Sequence, residues 1–164
     1  TLLIGSAGDS ACVLSLGSTS YDDFVNLMNK KAKKIGMENS NFTNPIGLDG
    51  ENGSHYSSAA DLYRLAKYAV KNDTVRDIIS TKEYTFSDTS KNLKFKIFNT
   101  NKLLWEIPET VGIKTGTTQD AGEVLIYEYK SGNKDIVIIV MGSGDRFFDT
   151  KAILDWVLAS YLWG

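Results

Sequence analysis

The residues best suited to chemistry in this chain are Lys114, Thr115 and Gly116, set within Val111-Gly112-Ile113-Lys114-Thr115-Gly116-Thr117-Thr118. In succession they offer an ammonium cation, a hydroxyl donor and a backbone without a side chain. At the end of a strand they would present all three along an open edge, to an extended and anionic ligand. A carboxylate suits this set better than a phosphate. A phosphate loop places Gly-Lys-Ser/Thr after its strand, whereas here Lys114 precedes Gly116. The second candidate is Ser6 in Ser6-Ala7-Gly8-Asp9, a hydroxyl at a loop-to-helix junction. His55 has no Ser/His/Asp spacing around it and reads as a hydrogen-bonded loop histidine. Ser131-Gly132-Asn133-Lys134 has Ser-x-x-Lys spacing but falls in a turn between two strands, so the match is a chance one. Asp61, beside a helix start, favours the helix dipole.

Composition narrows the classes to which such a site can belong. The chain has 164 residues, 42% hydrophobic and 23% charged, enough for one ordinary core and unlike a disordered chain. A net charge of −2 leaves no basic excess to recruit nucleic acid. No apolar run approaches the roughly 20 residues of a membrane span. Cys12 is the only cysteine and His55 the only histidine, so no internal disulfide or metal-ligand cluster is expected, and no cofactor. Cys12 reads as a small buried hydrophobe. The sequence opens on Thr1-Leu2-Leu3-Ile4 without methionine, as the middle of something larger would.

The elements that must position these residues are helical first and extended later. Asp9 is placed to cap a short helix to about Leu16, broken by Gly17-Ser18-Thr19-Ser20. Ser20 caps a second helix with Phe24, Leu27, Met28 and Ile35 on one face and Gly36 as its stop. Lys30, Lys31, Lys33 and Lys34 fall in its last turns, where cations suit the dipole. Residues 39–57, rich in Asn, Gly and Ser, read as a long ordered loop. Ser57 or Ser58 then caps a helix bearing Leu62, Leu65, Ala66 and Val70, and a short helix follows Asp73. Tyr84 to Phe86 and Leu93 to Ile97 read as strands around a polar turn, and Asn99 to Trp105 as a loop. Strands are expected over Val111–Thr117, Glu123–Tyr129 and Asp135–Met141, the last two joined as a hairpin by Lys130-Ser131-Gly132-Asn133. A closing helix carries Ile153, Leu154, Val157, Leu158, Tyr161 and Leu162 on one face. This order argues for α+β, with helices packed on an antiparallel sheet that ends in a three-strand meander. One domain over 1–164 is expected, helical to about residue 80, then sheet and closing helix.

Taken together, these segments resemble the penicillin-recognising serine enzymes, most closely the serine D-alanyl-D-alanine carboxypeptidases of the low-molecular-weight penicillin-binding class. The resemblance rests on Leu2 to Ala11, Phe24 to Met37, Asn44-Pro45-Ile46-Gly47-Leu48-Asp49, His55 to Leu62, Asn99 to Trp105, Gly112 to Thr118 and Ala121-Gly122, in family order. It implies a β-lactamase/transpeptidase-like fold and hydrolysis of the terminal D-Ala of peptidoglycan stem peptides through an acyl-enzyme. A bacterial extracytoplasmic location in the cell envelope is implied by the family alone. Ser6 would match the second-motif serine, relaying protons. Lys114 would add positive potential and attract the substrate carboxylate, Thr115 would donate to that carboxylate, Gly116 would admit close backbone approach, and the Thr117 N–H would form half of an oxyanion hole. These enzymes attack with a serine whose base is a lysine three positions later on the same helix, and the chain is expected to begin after that Ser-x-x-Lys segment. Gly8 stands where the family usually has asparagine, removing an amide that would hold the substrate carbonyl and the base lysine, at a cost of about 1–3 kcal/mol.

Three functions follow. The first is a portion of a carboxypeptidase, with β-lactams as further partners when the nucleophile segment is present. The second is a non-catalytic pseudoenzyme that binds peptidoglycan peptides. The third is a fragment that needs a partner segment to fold, or that self-associates along an exposed sheet edge.

Overall fold

The structure is a computed structural model and describes residues 1–88 and 90–163. Thr89, in the expected polar turn, and Gly164, at the end of the expected closing segment, lie outside the described residues. Helices occupy the first half: α1 (Leu2–Gly5), α2 (Gly8–Ser18), α3 (Tyr21–Lys34), α4 (Ala59–Ala69) and α5 (Asp73–Ser80). A two-stranded hairpin, β1 (Glu83–Asp88) and β2 (Leu93–Phe98), leads into the short α6 (Leu103–Glu106). Then come β3 (Thr110–Thr118), β4 (Gly122–Ser131), β5 (Lys134–Ser143) and α7 (Arg146–Ser160). The last three strands form an antiparallel sheet in the order β3-β4-β5, the expected meander. No helix of the described residues is long and apolar enough to cross a membrane.

Caps fix where the helices begin. Ser20 Oγ accepts from the Asp23 N–H, Ser58 Oγ from that of Asp61, and Asn72 Oδ1 from that of Val75. Each satisfies a backbone donor that the first turn leaves free. α2 differs from expectation: Ala7 is its N-cap, and Asp9 sits inside the first turn. The segment expected as a loop before β3 also contains helix. Asn99 Oδ1 accepts from the Asn101 N–H and Asn101 Oδ1 from that of Leu103, two side-chain turns that launch α6 and drive Leu103 and Leu104 into the core.

The sheet is covered on both faces. Leu125, Tyr127, Tyr129, Ile136, Ile138 and Val140 form one buried cluster with Leu103 of α6 and Leu154 of α7. Full burial of each large side chain contributes about 1.5–3 kcal/mol. On the other face Ala66 and Val70 of the α4 segment, Ile79 of α5 and Ile113 of β3 make a second cluster. Gly112 has no room for a side chain, because an added Cβ would lie 3.1 Å from both Ile79 O and Ile79 Cγ1. That close approach seats the base of β3 on α5. The stripe on α7 is narrower than expected. Leu154, Val157 and Leu158 pack on the sheet, but the helix ends at Ser160, Tyr161 turns extended, and Ile153 and Leu162 face outward.

Asp61 is a hub rather than a dipole partner alone. Its carboxylate is wholly buried and accepts from the Asn39 N–H at 2.7 Å, Ser40 Oγ at 2.8 Å and Arg64 Nη1 at 3.0 Å. It thus ties the long loop to α4. A prediction follows from stranding those donors. Asp61→Ala lowers the free energy of unfolding by about 3 kcal/mol in denaturant titration, and Asp61→Asn, which still accepts, by clearly less. Equal losses for the two would remove the carboxylate from this role.

Candidate active site

Ser6 is delivered to the site by an unusual backbone. It is the C-cap of α1, not an N-cap, and lies in the left-handed region at φ 54°, ψ 35°. A non-glycine residue there costs about 1–2 kcal/mol, a site that local energetics would give to Gly or Asn. Packing holds it in place. The Thr100 N–H donates to Ile4 O at 3.1 Å, and Ile4 is buried. The turn aims Ser6 Oγ across the chain at β3, where the Lys114 ammonium donates a short hydrogen bond to it.

Lys114 is held in a defined pose. Its Nζ also donates to the Thr115 carbonyl at 2.8 Å. Burial, and then the nearby Arg146 guanidinium, pull its pKa down from 10.5 to about 8. Each cause disfavours a second positive charge in a partly dry site. Thr115 is buried, and its hydroxyl pairs with that of Thr100 at 2.6 Å, while Gly116 and Thr117 are exposed on β3. Among the described residues β3 has a sheet partner on one side only, so its outer edge borders the cleft. Gly8 opens α2 on the facing wall, and an added Cβ there would meet Ile46 at 3.7 Å.

Arg146 was not singled out from sequence, yet the structure lays it across this strand. Its Nη1 donates to Gly116 O and to Val124 O (3.3 Å), and its Nη2 to Thr117 Oγ1 at 2.8 Å. Glu123 orients it: the carboxylate accepts from the Arg146 backbone N–H at 3.0 Å and lies 3.2 Å from Nε. A register shift between Glu123 and Leu125 and a positive φ at Gly142 carry the chain out of β5 toward β3. Asp145 then caps α7, accepting from the N–H groups of Phe147 and Phe148. One sequence signal was available. An arginine in the first turn of a helix opposes the dipole, so such a residue calls for a reason elsewhere.

These groups open on one cleft of about 1260 Å³, bounded by Ser6 and Gly8 on one side and Lys114 to Thr117 on the other. His55 lines it from the loop, its Nδ1 accepting from the Thr43 N–H at 3.2 Å, and burial lowers its pKa. It is the hydrogen-bonded loop histidine expected. Cys12 is half-buried and lines the cleft instead of joining the core. Ser131 and Lys134 flank the turn between β4 and β5. They stand some 25 Å along β4 from Glu123, at the far end of the sheet. A cation, hydroxyls and an open strand edge therefore converge, and the arrangement can hold a carboxylate-terminated chain and move a proton between Ser6 and Lys114.

Comparison with known proteins bears on the family and the fold. The family model described as D-alanyl-D-alanine carboxypeptidase matches residues 1–145. The chain is similar to D-alanyl-D-alanine carboxypeptidase DacF of Bacillus subtilis (strain 168), at 35% identity over 98% of this chain and 41% of that protein. It resembles the crystal structure of D-alanyl-D-alanine carboxypeptidase from Mycobacterium tuberculosis H37Rv with a TM-score of 0.87 and 32% identity, covering 98% of this chain and 62% of that one. Penicillin-binding protein D2 from Listeria monocytogenes, solved in its cefotaxime-bound form, gives a TM-score of 0.81 and 32% identity over 94% of this chain and 62% of that one. The chain thus spans less than two thirds of the length of each, and its α+β arrangement with helices on an antiparallel sheet is the fold they share. By its match over most of its length, the chain belongs to the D-alanyl-D-alanine carboxypeptidase family.

Proposed function

We propose that this chain forms the substrate-holding and proton-relay side of a peptidoglycan D-Ala-D-Ala carboxypeptidase, as part of a transpeptidase-like domain acting in the bacterial cell envelope. The observation that carries the reading is the Lys114–Ser6 hydrogen bond beside the open edge of β3. A stem peptide ending in D-Ala-D-Ala lies extended along that edge. Its terminal carboxylate sits against Lys114, the Thr115 hydroxyl and Arg146, and Gly116 lets its backbone come close. The Thr117 N–H faces the oxygen on which negative charge develops, and Ser6 passes a proton toward the leaving amine under the field of Lys114. Gly8 leaves the substrate acyl carbonyl without a side-chain amide from this position. Attack on the carbonyl is not among the roles these residues fill, since the Ser-x-x-Lys string at Ser131 lies at the far end of the sheet. β-Lactams are proposed as mimics of the same terminal dipeptide.

D-Ala release from an acylated tripeptide by the protein as its gene encodes it tests the activity. Lys114→Ala should lower kcat/KM by about 10²–10³-fold. If the encoded protein releases no D-Ala but binds the peptide in a Lys114-dependent way, the non-catalytic binding reading replaces the enzyme.

The lowered Lys114 pKa gives a pH signature. Below about 8 the side chain is a cation and attracts a carboxylate; above it the charge is lost. Peptide affinity should therefore fall as pH rises from 7 to 9.5, with the step absent in Lys114→Ala. A flat wild-type profile would count against the carboxylate role.

Ser6 separates stability from function. Ser6→Gly relieves the left-handed backbone and should raise unfolding free energy by about 1 kcal/mol, while D-Ala release collapses. Retained activity in that variant would rule out the relay.

A further inference from the structure

Seven of the chain's 18 basic residues fall in two short stretches, Lys30 to Lys34 and Arg64 to Lys71. No Asp or Glu lies between Lys30 and Met37 or between Leu62 and Asn72, although the whole chain carries a net charge of −2. The fold sets the two stretches side by side. Lys31 Nζ, in the last turn of α3, donates to the Tyr68 hydroxyl of α4 at 3.0 Å. Further along, a Cβ added at Gly36 would lie 3.6 Å from Arg64 Cδ. The end of α3 therefore runs antiparallel along α4, and Lys30, Lys31, Lys33, Lys34, Lys67 and Lys71 are all exposed there.

Among the described residues none of these six lysines forms an ion pair, and only Arg64 is matched, by Asp61. Asp23 lies on the same side of α3 two turns back, where Ser20 Oγ donates to it, and Glu38 and Asp73 border the two stretches. Cations in the last turn of one helix answer its dipole. That does not account for a second run laid beside the first, since like charges brought together repel. The patch is also not purely polar. Leu27 is 53% exposed one turn from Lys30 and Lys31, and Tyr63 and Tyr68 stand 46% and 45% exposed among Arg64, Lys67 and Lys71. Apolar and aromatic side chains set among cations fit a surface that is anionic outside and apolar beneath. A soluble polyanion offers only the first. None of these residues lines the cleft.

We propose that the α3–α4 face docks on a bilayer rich in anionic lipid, with its lysines against the headgroups and Leu27, Tyr63 and Tyr68 at the level beneath them. Met28 and Leu65 of the same helices line the cleft from another side, so the cleft is a separate surface. The inference goes beyond the carboxypeptidase reading, and vesicle binding is measured whether or not D-Ala is released.

The test is co-sedimentation of the encoded protein with vesicles of phosphatidylcholine alone or mixed with phosphatidylglycerol. Affinity should be higher on the anionic vesicles and fall as salt rises from about 0.1 to 0.5 M. Each cation at such a surface contributes about fivefold, so Lys30→Gln, Lys34→Gln and Lys71→Gln together should cost about 100-fold on anionic vesicles and nothing on neutral ones. The same charge removed elsewhere, by Lys82→Gln, Lys91→Gln and Lys94→Gln, should leave the preference in place. Leu27→Ser should lower vesicle affinity about fivefold and leave binding of inorganic polyphosphate unchanged. Unchanged thermal unfolding and D-Ala release in the variants show that the fold is kept. No anionic preference in wild type overturns the proposal, and so do equal losses from the two triple variants. Polyphosphate binding that the α3–α4 lysines govern, with vesicle binding indifferent to Leu27, assigns the face to a soluble polyanion and overturns the bilayer.

Discussion

The contact between Lys114 and Ser6 links residues 108 positions apart, and the rest of the structure can be understood as what makes it stand. Each partner is held by its own layer. Ser6 ends α1, whose Ile4 carbonyl is bound by Thr100, while Lys114 projects from a strand seated on α5 through Gly112. An ammonium group tolerates partial burial only when its protons are taken up, and here a hydroxyl and the Thr115 carbonyl take two of them. Neither acceptor carries a full negative charge. Among the described residues the site therefore leaves Lys114 without a carboxylate counter-ion, which is the ground on which a ligand carboxylate is proposed there.

Arg146 sharpens this electrostatic poise. Burial first, and then repulsion from the Arg146 guanidinium, bring the pKa of Lys114 down to about 8. Glu123 keeps Arg146 in place through its backbone and side chain, which spares the arginine from competing for the position of Lys114. The bulge that delivers Arg146 lies where β4 and β5 lose register, next to the β3–β4 turn. Sheet irregularity and the arrangement of cations are thus one feature. A straight β5 would carry α7 away from the cleft.

Much of this was legible in the residues, and the limits are instructive. Ser20, Ser58 and the β4–β5 hairpin follow local rules, and local rules hold there because no tertiary contact opposes them. Ser6, Lys114, Thr115, Gly116, Thr117 and Gly8 could be named from residue type and order, and the structure brings all six to one cleft. Arg146 escaped because its meaning depends on a bulge that period-2 patterning cannot foresee. Asp61 escaped because an acidic residue in a first turn looks the same whether it serves a dipole or, as here, is buried beneath a loop. The face of α7 was drawn too wide, since helical periodicity gives the direction of a stripe but not how far the sheet beneath it extends. α6 was read as a loop because its start is set by side chains of Asn99 and Asn101, not by its own short apolar content.

Beneath the site a buried charge bears on how rigid β3 can be. Glu128 pairs with Gly112 across the β3–β4 ladder and is 1% exposed. Burial raises its pKa, and Arg76 on α5, 3.7 Å away, opposes that rise without cancelling it. For a carboxyl with a raised folded pKa, the stabilising form is the protonated one, present at low pH and lost as pH climbs through the folded value. Ionised Glu128 therefore burdens the fold near neutrality, while its attraction to Arg76 draws α5 onto β4. The same helix packs Ile79 against Gly112. Two different contacts, a close apolar one to β3 and an imperfectly paired charge to β4, thus hold α5 against the sheet that carries Lys114. The ion pair adds little net stability, so the close approach of Ile79 to Gly112 is the contact that seats the strand from which Lys114 reaches Ser6.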